Sequence, residues 1–118
     1  MAENLRETVD TIVDDFFGRL LGDEVTRGVF EGKTEEDMAR IKRGVGDVAM
    51  LGLSGHQFTE QDLEGLGDAH DRAGVTETIY DRAMYVHFPA AFEAHGAHDE
   101  LARLTPIVPV ARPYVARA

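Results

Sequence analysis

The chain of 118 residues contains no cysteine. This absence excludes disulfides, thiolate catalysis, iron–sulfur clusters and cysteine-based zinc sites, so any metal would have to be held by histidine and carboxylate side chains. Serine is nearly absent as well, since Ser54 stands alone and no serine–histidine–acid or phosphate-loop pattern surrounds it. The sequence therefore favours a binding protein over an enzyme.

Long apolar runs and basic residues are also scarce. The longest apolar run, residues 48–53, is far too short to span a bilayer, and the first residues lack the basic and apolar regions of a signal peptide. Only 12 Lys and Arg oppose 22 Asp and Glu, and the formal charge of −10 would repel nucleic-acid phosphates and anionic membrane surfaces. We expect a cytoplasmic protein with neither nucleic acid nor membrane as a partner.

What the sequence does contain is helical periodicity. Apolar side chains recur at spacings of three and four residues from Leu5 to Leu20 and again from Met38 to Val48, and no useful strand-like alternation is present. A chain of this length forms one domain, and no repeat or linker divides it. The sequence predicts a single all-α domain over residues 1–118.

Threonines, glycines and prolines mark the expected helix boundaries. A helix over residues 60 to about 73 would begin at Thr59, carry His70 and end at Gly74, and Thr76 would cap the next helix. The last apolar stripe contains three prolines, so we expect the last helix to be kinked or frayed: Pro106, Pro109 and Pro113.

Five short segments, taken in order, carry a resemblance to a known family. They are residues 13–23, residues 29–32, residues 38–41, residues 58–59, and His70 followed by residues 73–76. They resemble the second helix, the paired-aromatic segment, the start of the distal helix, the Tyr-Thr pair before the proximal helix, and the proximal histidine with its turn in the truncated hemoglobins, most closely group I. The resemblance covers nearly the whole chain and implies a globin-like, two-over-two helical sandwich.

The resemblance implies that the chain binds heme b and that His70 is its iron ligand. Neutral imidazole is a good ligand for iron, and its second ring nitrogen could donate to a backbone carbonyl one turn earlier, near Leu66. Phe30, Met38 and Leu66 would contact the porphyrin. Ordinary core packing explains the spacing of these three residues equally well.

The heme propionates would need cationic partners. Arg40 matches a basic position of the family's distal helix, and Arg43, one turn away, is a second candidate that we rank below it. Both could equally be solvated residues paired with Glu36 or Asp47. The resemblance further implies small diatomic ligands, and it leaves open a reductase partner and a monomeric or weakly dimeric state.

The distal side departs from the family pattern. The family usually places a tyrosine where this chain has Phe17 and often a glutamine where it has Val45, and the gate position is Ile41. None of these three can donate a hydrogen bond to bound dioxygen. Counting forward from His70, His87 falls where the family has an apolar residue that lines the distal cavity, and there it could donate to the bound ligand or act as a sixth iron ligand. We favour the alternative, in which Val86 faces inward and His87 is only partly buried beside Pro89.

These observations predict reversible binding of oxygen, carbon monoxide or nitric oxide at an iron held by His70. Weak nitric oxide dioxygenase or peroxidase-like activity stays open. Two other classes compete, a heme-free helical interaction module of the same architecture and a gas or redox sensor that acts through a separate partner. A zinc site at His95 and His98 is disfavoured because Gly96 breaks the helix between them.

Overall fold

The computed structural model describes the backbone of residues 2–117 and the side chains of residues 4–117. Within this range no helix combines the length and apolar character that crossing a bilayer requires. Every named element of this part is helical, and the predicted all-α class is confirmed. The elements are α1 (Ala2–Leu21), a 3₁₀ turn (Arg27–Phe30), α2 (Glu35–Leu53), α3 (Glu60–His70), α4 (Glu77–Arg82), a π-helical turn (Ala83–His87), α5 (Phe88–Ala94), α6 (His98–Leu104) and α7 (Ile107–Val115).

Threonines begin three of the helices. Thr34 and Asp37 form a reciprocal capping box at α2, in which each side chain accepts from the other residue's backbone N–H at 3.1 Å. Thr59 and Asp62 repeat this arrangement at α3, and the side chain of Thr76 accepts from the first turn of α4. Capping satisfies backbone donors that have no partner within the helix. The predicted caps at Thr59 and Thr76 are confirmed.

Helix α3 ends earlier than expected, at His70 instead of near residue 73. A turn follows in which the N–H of Ala73 donates to the carbonyl of His70 at 3.0 Å. Gly74 then reverses the chain at φ +68°, a left-handed conformation that glycine adopts without a steric penalty. His70 is therefore the last residue of its helix.

The helical stretch from residue 77 to residue 94 is interrupted by the π-helical turn. Pro89 has no N–H, and its ring would clash with the carbonyl of Tyr85 in a regular α-helix. The N–H of Phe88 donates instead to the carbonyl of Ala83, five residues back. Such single π turns occur often at functional sites. Pro89 was the signal for this turn in the sequence, and our sequence reasoning missed it.

The expected kink in the last helix is in fact a break. Helix α6 ends at Leu104, and α7 begins after Pro106 as a separate helix. Pro109 lies in the first turn of α7, where a missing N–H costs little, whereas Pro113 lies inside the helix.

Buried side chains form two clusters. The larger cluster joins α1, α2, α5, α6 and the residue just before α6. Its members are Val9, Ile12, Val13, Phe16, Phe17, Leu20, Ala49, Leu53, Phe88, Ala91, Phe92, Ala97 and Leu104. The smaller cluster joins α4, α7 and the turn before α4, with α3 packed at its edge: Val75, Tyr80, Val108 and Val115. Met84, in the π-helical turn, packs against both clusters.

The helices pack according to this division. Helix α2 packs against α1 and α6, whereas α3 packs against α7, and α2 and α3 are not closely packed against each other. Gly67 allows α3 to approach α7, because a Cβ atom at this position would lie 2.5 Å from the carbonyl oxygen of Tyr114. The helix that carries His70 is therefore fixed from the α7 side.

Candidate functional site

His70 is half-buried at the carboxyl end of α3. Its Nδ1 atom lies 2.7 Å from the carbonyl oxygen of Leu66, which is the hydrogen bond expected from the resemblance. A carbonyl oxygen can only accept, so Nδ1 carries the proton and Nε2 of the neutral ring keeps its lone pair. Within residues 4–117, Nε2 of His70 has no hydrogen-bond partner. The outer nitrogen is therefore an acceptor without a partner in this part of the chain.

An apolar surface adjoins His70 on its own side of the molecule. Leu66, one turn earlier on α3, is half-buried and packs against the smaller cluster. Ala73 and Ile79 pack at the same edge. The imidazole therefore lies beside apolar side chains that the smaller cluster does not completely cover.

A second apolar surface lies on α2 and the 3₁₀ turn. Phe30, Met38, Ile41 and Val45 are all half-buried and pack against the edge of the larger cluster. Phe17 is completely buried behind them, and its ring meets that of Phe30 edge to face with centroids 5.5 Å apart. Phe17 thus supports Phe30 from within the core.

These two apolar surfaces are separate. They belong to different clusters and to helices that are not closely packed against each other, and Met84 is a side chain that reaches both. A flat macrocycle needs two apolar faces and one nitrogen donor. The residues present include such a donor, at His70, and apolar side chains on both surfaces, which is the chemistry that a heme would need.

A groove of about 540 Å³ opens beside the α2 surface. Phe30 and Met38 line it together with Lys33 and Lys42, the only lysines of the chain. Lys42 is already paired with Asp14, at 2.6 Å. Lys33 is thus a cation beside two predicted porphyrin contacts, and our sequence reasoning missed it because no helical periodicity marks a loop residue.

Arg40, the predicted propionate partner, lies on the outer surface of α2. Its side chain is 67% exposed and pairs with Asp37 at 2.8 Å, one turn away. Arg43 is also exposed on this helix. Asp47, which we considered as a partner for these arginines, instead accepts from Arg6 of α1 at 2.7 Å.

His87 is half-buried and is bound to a carboxylate. Its Nε2 atom lies 2.6 Å from Oδ2 of Asp23, and Arg82 donates to the same oxygen at 2.7 Å. Hydrogen bonds from His87, the backbone of Val25 and Arg82 hold the pKa of Asp23 well below its usual range. Val86 is half exposed, so the alternative in which Val86 faces inward is wrong.

The remaining histidines near carboxylates form isolated pairs. His95 lies 2.9 Å from Asp15, and His56 lies 2.9 Å from Asp62, which also caps α3. In the part of the chain that the structure describes, no three histidine, aspartate or glutamate side chains lie together where they could hold a metal ion.

The structure groups the predicted residues unequally. It places Phe17, Phe30, Met38, Ile41 and Val45 on the side of the larger cluster, and His70 with Leu66 on the other side. Arg40 lies on the surface, and His87 is bound to Asp23.

No protein-family model matches the chain, and the searches of curated proteins and of solved structures find no match.

Proposed function

We propose that the protein is a globin-like, two-over-two hemoprotein that binds heme b between α2 and α3, with Nε2 of His70 as the iron ligand. The observation that carries this proposal is the hydrogen bond from His70 Nδ1 to the Leu66 carbonyl, which orients the ring and leaves Nε2 available. Bound there, the heme iron would supply reversible binding of oxygen, carbon monoxide or nitric oxide.

The neighbouring residues have distinct roles in this proposal. Leu66 would contact one face of the ring, and Phe30 and Met38 the other, from the edges of the two clusters. Ile41 and Val45 would exclude water from the ligand side. Lys33, beside Phe30 and Met38 in the groove, would pair with a propionate more directly than Arg40, which is bound to Asp37 on the outer surface.

The ligand side would be apolar. Phe17, Ile41 and Val45 have no donors, and Nε2 of His87 is bound to Asp23. A missing hydrogen bond to a charged, bound ligand costs roughly 1.5–3 kcal/mol, or about one to two decades in affinity. Oxygen should therefore leave quickly, and high-affinity oxygen storage is a poor fit for this protein.

Reconstitution with hemin tests the proposal. The parent should take up one heme per chain and give a Soret band, with a five-coordinate ferrous form that binds carbon monoxide. His70→Ala should lose this ferrous form, whereas His98→Ala, a change of an exposed histidine on α6, should leave it unchanged. A parent that takes up no hemin, or a His70→Ala spectrum identical to that of the parent, would overturn the proposal.

A heme-free interaction module is the second candidate. Tyr85 and Val86 of the π-helical turn are 48% and 50% exposed, which is unusual for adjacent large apolar residues and could serve a protein partner. The hemin experiment separates the two candidates, because an interaction module would show no Soret band.

A further inference from the structure

The segment that follows α7 runs beside the turn between α3 and α4. The N–H of Arg117 donates to the carbonyl of Val75 at 2.8 Å, and the N–H of Glu77 donates to the carbonyl of Arg117 at 2.9 Å. These bonds form a parallel bridge between Thr76 and Arg117. Since Thr76 also caps α4, the bridge fixes the turn at the point where the next helix begins.

The side chain of Arg117 reaches the end of α3. Its Nη2 atom donates to both the backbone carbonyl and the carboxylate of Asp71, the residue directly after His70. Carbonyls at the carboxyl end of a helix lack partners within the helix, and a cation is favoured there by the helix dipole. Arg117 therefore caps α3 from outside, at the residue adjacent to the proposed iron ligand.

A third contact lies one turn before His70. The backbone carbonyl of Tyr114 fills the space beside Gly67, where a Cβ atom would lie only 2.5 Å from the oxygen. Gly67 is adjacent to Leu66, whose carbonyl accepts from His70. Residues 114–117 thus contact the chain on both sides of His70.

We propose that residues 114–117 form a brace that positions His70, and that Arg117 acts as a positioning residue through Asp71. This inference rests on the proposed heme function. By fixing the end of α3 and the turn after it, the brace holds the imidazole in one orientation before the iron binds. The three contacts all lie on the side of the smaller cluster, so loosening the brace should leave the larger cluster intact.

The variant Arg117→Ala tests the brace. Arg117→Lys is the conservative change, and Arg103→Ala is the control. Arg103 is an exposed cation in the last turn of α6 and so is a matched control. In the heme-free protein, Arg117→Ala should speed hydrogen exchange of the amides of residues 71–77 by about two- to fivefold and leave α1 unchanged. Arg117→Lys should restore part of the protection, and Arg103→Ala should match the parent.

The hemin-loaded protein supplies the second readout. Arg117→Ala should shift or broaden the iron–histidine stretching band and speed hemin loss by about two- to fivefold. Exchange equal to that of the parent, or faster exchange with an unchanged band and unchanged hemin loss, would overturn the positioning role. If the parent bound no hemin, the proposed function and the role toward iron would both fall, and the exchange readout would still decide whether Arg117 holds the turn.

Discussion

Helices α1, α2, α5 and α6 enclose a core of packed aromatic and aliphatic side chains, whereas α4, α7 and the turn before α4 share a cluster of four buried residues, with Leu63 of α3 and Ala111 of α7 buried outside it. In the larger cluster, the ring of Phe88 meets those of Phe16 and Phe92 at centroid distances of 5.5 and 4.8 Å. In the smaller cluster, the hydroxyl of Tyr80 donates to the carbonyl of Val108 at 2.6 Å. The larger cluster is thus packed through aromatic rings, whereas the smaller cluster includes a buried hydrogen bond to the backbone.

Ion pairs on the surface link helices on both sides, as between Lys42 of α2 and Asp14 of α1 at 2.6 Å. Arg112 of α7 donates to both carboxylate oxygens of Asp81, at 2.7 and 2.9 Å, and to Glu77. The side with few buried apolar contacts should open locally before the whole domain unfolds. Because His70 lies on that side, the loss of a single hydrogen bond there should change the orientation of the His70 ring more than the stability of the fold.

The largest expected effect on stability comes from removing a large side chain from the larger cluster. Phe92 is 1% exposed, and Phe92→Ala should lower the free energy of unfolding by about 3–5 kcal/mol, a large part of a typical domain's stability. Val115→Ala in the smaller cluster removes two carbons and should cost about 1.5 kcal/mol. Urea denaturation followed by circular dichroism measures both losses. Equal losses would contradict the division into a larger and a smaller core.

The contact between α3 and α7 gives the next effect. Gly67→Ala places a Cβ atom against the Tyr114 carbonyl, so α3 must shift away, at a cost of about 1–3 kcal/mol. Gly65→Ala, on the same helix with open space around it, should stabilise the protein by about 0.5–1 kcal/mol. Thermal denaturation of the two variants measures both changes in stability. A stabilising Gly67→Ala would show that the two helices are not in tight contact.

Low pH should weaken the hydrogen bonds that the carboxylates of Asp81 and Asp23 accept. The hydrogen bonds from Arg112 hold the pKa of Asp81 below its usual range, and those from His87, Val25 and Arg82 do the same for Asp23. A depressed folded-state pKa adds stability that is fully present above the unfolded value, near about pH 4, and is lost as the pH falls further. Asp81→Asn and Asp23→Asn should each flatten this acid limb in urea titrations.

The stability of the parent and of the variants near neutral pH is the control for the acid prediction. Above about pH 5 the Asp81→Asn variant should be less stable than the parent by a constant amount, because Asp81 is completely ionised there and its partner Arg112 stays charged. A variant whose acid limb is as steep as that of the parent would show that its carboxylate is not held in the folded state.

The smallest expected effect concerns His87. Because its Nε2 atom is bound to Asp23, His87→Ala should leave the ferrous coordination state and the rate of oxygen release unchanged. Its absorption spectra and stopped-flow traces should superimpose on those of the parent. Loss of a six-coordinate signal in the variant would instead place His87 on the iron.

Local features of the structure could be predicted from the sequence. The caps at Thr59 and Thr76 depend on residues within three positions, and the hydrogen bond from His70 to Leu66 spans one helical turn. Contacts between distant residues could not be predicted this way. Arg117 and Asp71 are separated by 46 positions, and His87 and Asp23 by 64, and no periodic pattern relates such pairs.

The sequence also left the choice between neighbouring positions undecided. The spacing of Val86 and His87 allowed either residue to face inward, and in the structure Val86 is half exposed whereas His87 is half-buried against Asp23. Arg40 was ranked for a propionate by its position on α2, but the nearby Asp37 binds it, and Lys33 in the loop lies beside Phe30 instead. Which charged side chains pair depends on which of them the fold brings close together.

The most direct test is imidazole rescue of a His70→Gly variant, read in the ferrous absorption spectrum. The parent should show a five-coordinate ferrous heme, His70→Gly should lose it, and added imidazole should restore it by occupying the space beside the Leu66 carbonyl. A His70→Gly spectrum equal to that of the parent without imidazole would contradict iron ligation by His70.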